Sequence, residues 1–157
     1  MVSKLEDWRD ELSVIPLDSF GHLPELKLHP KIAEMCIDLY KKGSYPEAVF
    51  AACKALVLLV KGQSKSPKSS NGKELDGVPL METVFSPENP LLAFNDLKGQ
   101  TDRDEQKGMM QLFAGVVAAF KNPGSHAFPV VSAEQALQCI GFLSLLAARL
   151  DDAKMHK

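Results

Sequence analysis

From Ala136 to Leu150 only Gln138, Ser144 and Arg149 interrupt an apolar run, and no other feature of the chain restricts its fold as much. Ser132 stands ahead of the run with Gln135 three residues on, the pattern in which a hydroxyl and an amide satisfy the free N–H groups of a helix start. A helix that is apolar almost all round must be buried on more than one side. It is therefore either the central helix of a bundle or one side of an interface between two chains. The rest of the sequence has to supply the helices that cover it.

The segments upstream have that character. Pro30, tolerated at a first helical position, opens a predicted helix to about Lys42 with Ile32, Met35, Cys36 and Leu39 on one face and Gly43 as its stop. Ser44 with Glu47 reads as a capping box for a second helix to about Val60, in which Val49, Ala52, Cys53, Leu56 and Val60 face inward. The short connection makes the two an antiparallel hairpin. A shorter helix over about 78–85 has Asp76 placed to cap it, and residues 91–101 read as loop. The longest helix runs from about Asp102 to Lys121, with Asp102, Asp104 and Glu105 at its positive end and Met109, Leu112, Phe113, Val116 and Phe120 as its buried stripe. Pro123 pushes Asn122 out of the helical region and ends it.

The predicted fold is thus all-α, a compact bundle of four to five main helices. At 157 residues the chain has one domain's worth of sequence, divided into an N-terminal arm at 1–28 and a helical domain at 29–153. In the arm, Leu5, Trp8 and Leu12 have helical spacing over 3–13, while Pro16 and the Gly21–Pro24 stretch make 14–28 a connector.

Net charge of −2 excludes a globally basic nucleic-acid binder, though a few placed cations suffice to hold phosphates. Such cations occur together at 61–73, where Lys61, Lys65, Lys68 and Lys73 alternate with Ser, Gly and Asn and no acidic residue intervenes. We read this as a mobile basic loop, either a solvated excursion or a track for a phosphate backbone. Cys36, Cys53 and Cys139 form no CxxC pair and lie in apolar helical stretches, as small buried hydrophobes in a reducing compartment do. No metal or cofactor is expected. No apolar stretch reaches membrane-spanning length, and the expected location is the cytoplasm, with no membrane partner.

Chemistry concentrates at the bend after the longest helix, Phe120-Lys121-Asn122-Pro123-Gly124-Ser125-His126. A cation at a helix C-terminus meets favourable carbonyl charge, and an imidazole five residues on can transfer protons near neutral pH. By local pattern alone this reads first as a polar turn with a capping histidine. Glu105 reads as a helix-dipole partner, Lys54 as a surface lysine, and His22, His29 and His156 are given no role.

Here the chain resembles the HEPN superfamily, all-α domains with an Arg-x4–6-His motif, and within it the Ymh-type hypothetical bacterial family. The resemblance runs over about 28–153: HPKI at 29–32, GSYPEAVFAACKAL at 43–56, DGVPLMETVFS at 76–86, DEQKGMMQLFAG at 104–115, KNPGSH at 121–126 and LAARLDDA at 146–153. It implies a bundle that dimerises through the motif helix and the last helix. It also implies metal-independent endoribonuclease chemistry in phage-defence, toxin–antitoxin or stress settings, or a non-catalytic RNA- or protein-binding module. RNA, a second copy and an antitoxin or defence-system protein are the implied partners. Carried over, Lys121 takes the basic position, Asn122 the polar one beside it and His126 the histidine. Separately from the resemblance, Ser125 and Lys61, Lys65, Lys68 and Lys73 are candidate substrate contacts. The family's arginine is lysine here, a flexible point charge in place of a rigid fork.

Overall fold

A computed structural model describes residues 26–121 and 132–156, and among these the chain is all-α, with five helices and one two-residue strand pair. The N-terminal arm up to residue 25, together with Asn122, Pro123, Ser125 and His126, lies outside the described residues.

Helix α1 spans Pro30–Lys41 with His29 as its N-cap, the ring Nδ1 accepting the Lys31 N–H at 3.2 Å. Its end is a Schellman turn: Gly43 has φ +79, its N–H donates to the Tyr40 carbonyl and that of Ser44 to the Leu39 carbonyl, both at 3.0 Å. That turn explains why the expected Ser44–Glu47 capping box fails. Ser44 closes α1 while opening α2, its backbone sits at φ −83, ψ 68, and its hydroxyl makes no cap bond.

Helix α2, Tyr45–Gln63, continues three residues past Val60, so Lys61 is helical and the expected basic loop begins only at Ser64. The segment beyond folds back on itself through a Lys68–Glu74 bridge, with the Ser69 N–H on the Lys73 carbonyl and the Leu75 N–H on the Pro67 carbonyl, both at 2.8 Å. Helix α3 is Gly77–Val84. Strand β1, Leu92–Ala93, lies within the stretch read as loop and pairs antiparallel with β2, Lys154–Met155, just past the expected domain end at 153. Helix α4 is Gln100–Phe120, two residues longer at its start than expected. Helix α5 is Ala133–Asp151, where Ser132 does cap, its hydroxyl accepting the Gln135 N–H at 3.1 Å.

The centre of the bundle is α2, which packs against α1, α3, α4 and α5 and buries Ala48, Ala52, Cys53, Leu56 and Val60. This corrects the reading of the last helix as central. One face of α5 packs on α1 and α2 through Ala136, Ile140, Leu143, Ala147 and Leu150, but Leu137, Phe142 and Leu145 stay exposed. In the same way Met35 and Leu112, expected in buried stripes, are exposed.

Two polar side chains tie the ends of these elements together. Gln106 is wholly buried among Phe85, Phe94 and Phe113; its amide nitrogen donates to the carbonyls of Phe85 at 3.1 Å and Leu92 at 3.0 Å, and its oxygen accepts the Phe94 N–H at 3.0 Å. Gln63 reaches the end of α5, donating to the carbonyls of Leu150 at 3.0 Å and Ala153 at 2.9 Å. Both satisfy backbone groups that a helix or strand end leaves without partners.

Candidate functional site

Three helix ends meet at one point, and each brings a charge. Lys61 comes from the last turn of α2, Lys121 is the C-cap of α4, and Asp76 is the N-cap of α3. Both lysines therefore stand where the carbonyl ends of helices favour a cation. Asp76, expected to cap α3 with its side chain, does not; its carboxylate instead takes the Lys121 ammonium, with Nζ at 2.7 Å from each oxygen. The Lys61 ammonium lies 3.6 Å from Asp76 Oδ1 and 3.4 Å from Glu74 Oε1.

The cluster is unevenly exposed. The two lysine side chains are 21% and 22% exposed and that of Asp76 is 54% exposed, so Asp76 is the most solvent-accessible of the three. The hydrogen bond from Lys121 is the main reason that the Asp76 carboxyl titrates below the ordinary carboxylate range; partial burial opposes it, and the Gly77 N–H and the Lys61 charge assist. Behind the cluster the Cys53 thiol points at the Val116 carbonyl, 3.7 Å away. Burial pushes its pKa up to about 12 against the pull of the Lys121 charge, so this thiol is no nucleophile.

Of the residues singled out in the sequence, the fold thus joins Lys61 and Lys121 on one carboxylate. Lys65, Lys68 and Lys73 are exposed on the folded-back segment leading to Glu74 and Asp76. Asn122, Ser125 and His126 follow directly on Lys121 but lie outside the described residues. Glu105 is engaged elsewhere, accepting from Arg149 at 2.7 Å and from Asn95 at 2.8 Å, and these bonds, Asn95 first, hold its carboxyl below the usual range. His29 joins α1 to α5, its Nε2 3.2 Å from Asp151 and its backbone N–H donating to the Ser144 hydroxyl at 2.6 Å. Among the described residues no group of His, Cys, Asp or Glu could hold a metal ion, and no helix is long and apolar enough to cross a membrane.

Sequence reasoning missed Asp76 as a partner for Lys121. The two are 45 residues apart, and the one local signal, an aspartate ahead of a short helix, pointed to capping. A second feature is apolar: a shallow groove of about 320 Å³ between α4 and α5, lined by Phe120, Gln135, Gln138, Cys139 and Phe142, continues past Leu112 and Gly115.

Fold and cluster together define an all-α bundle that gathers two lysines and two carboxylates where three helix ends converge. A family model described as a protein of unknown function (Hypoth_ymh) matches residues 26–150, and the chain belongs to that family. No curated protein and no solved structure matches the chain.

Proposed function

We propose that this protein is a HEPN-type, metal-independent endoribonuclease of the cytoplasm, acting in a phage-defence, toxin–antitoxin or stress setting. The observation that supports this best is the convergence of Lys61 and Lys121 on a single anionic group. Two ammonium groups held at one point, with a histidine five residues beyond Lys121, are the elements of phosphoryl-transfer chemistry that needs no metal.

In this reading His126 accepts the proton of a ribose 2′-hydroxyl while the 2′-oxygen bonds to phosphorus. The bond from phosphorus to the 5′-oxygen breaks, and that oxygen takes a proton from His126 of a second copy. The products are a 2′,3′-cyclic phosphate and a 5′-hydroxyl. Lys121 meets the charge that builds on the phosphoryl oxygens, Asn122 and Ser125 orient them, and Lys61, Lys65, Lys68 and Lys73 hold the flanking backbone. The second copy docks through α4 and α5, whose shared apolar face includes Leu112, Phe142 and Leu145. DNA, without the 2′-hydroxyl, is spared.

The test is incubation of end-labelled RNA with the protein in EDTA, beside the His126→Ala variant. Cleavage that leaves cyclic-phosphate ends and vanishes in the variant is the expected result. Intact RNA across structured and unstructured substrates would defeat the catalytic reading. One observation favours a second reading, a non-catalytic RNA- or protein-binding module: Asp76 neutralises Lys121 in the free protein.

A further inference from the structure

We infer that Lys61 and Lys121 form a two-cation phosphate subsite in which Asp76 is the resident anion, displaced when an RNA phosphodiester arrives. This rests on the reading of the protein as one that acts on RNA.

Both ammonium groups approach the same Asp76 oxygen, Lys121 at 2.7 Å and Lys61 at 3.6 Å, so the two nitrogens are no farther apart than the sum of those distances. Two cations brought that close repel each other unless an anion sits between them. A phosphodiester offers what the carboxylate offers, two oxygens sharing one negative charge, and lysine binds either as a point charge without demanding a fixed fork.

The uneven exposure fits an exchange. The lysine side chains are largely buried, while that of Asp76 is half-exposed, so solvent and an incoming anion can reach the carboxylate. Asp76 makes no side-chain cap bond at the start of α3, and the Gly77 N–H is the α3 amide that acts on its carboxylate. Lys61 also keeps Glu74 as a second partner, which holds it in place while Asp76 is away.

The direct test uses a 2′-O-methyl oligoribonucleotide, which binds but cannot be cut, followed by fluorescence anisotropy over a series of salt concentrations. Asp76→Asn keeps the size of the side chain, leaves a residue equally suited to an N-cap and removes the charge. It should bind three- to tenfold more tightly, and the slope of log K against log salt should steepen by about 0.7, the value for one further single-strand phosphate contact. Adding Lys121→Gln should abolish the gain. Unchanged or weaker binding by Asp76→Asn, or a gain that survives Lys121→Gln, overturns the inference.

A second measurement needs no variant. Titration of the unaltered protein with inorganic phosphate should shift the side-chain NMR signals of Lys61 and Lys121 together, and shifts confined to other lysines refute the subsite. Cleavage of natural RNA is scored separately. A binding gain without cleavage sinks the nuclease reading alone, whereas cleavage without a binding gain sinks the subsite alone.

Discussion

Replacing Gln106 by leucine should cost the fold more than any surface change near the site. Gln106 is the wholly buried polar side chain on which three backbone groups depend: the carbonyls of Phe85 and Leu92 and the N–H of Phe94. Leucine fills similar space but leaves all three without a partner. Each orphaned group costs about 1–3 kcal/mol, partly offset by the more favourable burial of an apolar side chain, so the expected loss is roughly 3–6 kcal/mol. Against a total of about 5–15 kcal/mol, that is a large fraction, equivalent to a fall in Tm of roughly 6–24 °C for a chain of this size.

The effect should reach the site, because the bonds of Gln106 join α4 to the end of α3, and those two helices carry Lys121 and Asp76. Urea denaturation at pH 7 gives the free energy, with the urea dependence checked for two-state behaviour. Gln106→Glu is the companion: it keeps the acceptor for Phe94 but sets a carboxylate against two carbonyls. Protonation restores a donor, so its deficit should narrow on acidification whereas that of Gln106→Leu should not. A loss under about 1 kcal/mol for Gln106→Leu refutes the reasoning, since water or rearranged backbone would then satisfy the three groups.

The Asp76 pair makes a pH-dependent contribution whose sign is set by its lowered carboxyl pKa: it is complete above the ordinary value of about 3.8 and is lost as pH falls through the lowered one. The stability difference between the wild type and Asp76→Asn, about 0.2–1 kcal/mol for so exposed a pair, should therefore hold from pH 7 to about 5 and shrink below about 4. A difference that grows on acidification contradicts the assignment. Burial raises the pKa of Cys36, Cys53 and Cys139, so a thiol reagent at pH 8 should label them only on unfolding; rapid labelling of the native protein overturns this. For the proposed dimer, Leu145→Glu places a charge on the most exposed leucine of α5 and should shift sedimentation from dimer to monomer. A surviving dimer moves the interface elsewhere.

The helices could be read in the sequence because apolar spacing and stop signals are local. Ser132 caps as its pattern says, its hydroxyl taking the Gln135 N–H. Ser44 has the same pattern and fails, since the α1–α2 connection is so short that one residue closes the first helix and opens the second. Periodicity also says which residues share a face but not what covers it. Phe142 and Leu145 lie on an apolar face as expected, yet that face is open, and the central position belongs to α2. The lysines of the site stood out through local charge and family resemblance. Asp76 did not, because its partner is distant in sequence and only the packing of α3 on α4 brings them together.

Under the proposed HEPN-type reading, that pairing also gives a physical reason for lysine where the HEPN motif has arginine. An arginine at 121 facing the Asp76 carboxylate could form two parallel N–H···O bonds, a geometry that is stronger and more selective for a planar anion than an ammonium contact. A resident anion held that way would yield to phosphate with difficulty. Lysine holds Asp76 by a compact charge that any nearby anion can share, so exchange stays within reach of an incoming backbone. Lys121→Arg should therefore weaken binding of the 2′-O-methyl probe while Asp76 is present and strengthen it once Asp76→Asn is added, reversing the order of the two side chains. If arginine binds the probe more tightly in both backgrounds, Asp76 does not compete with phosphate. Its contact with Lys121 would then be a structural ion pair at a helix end.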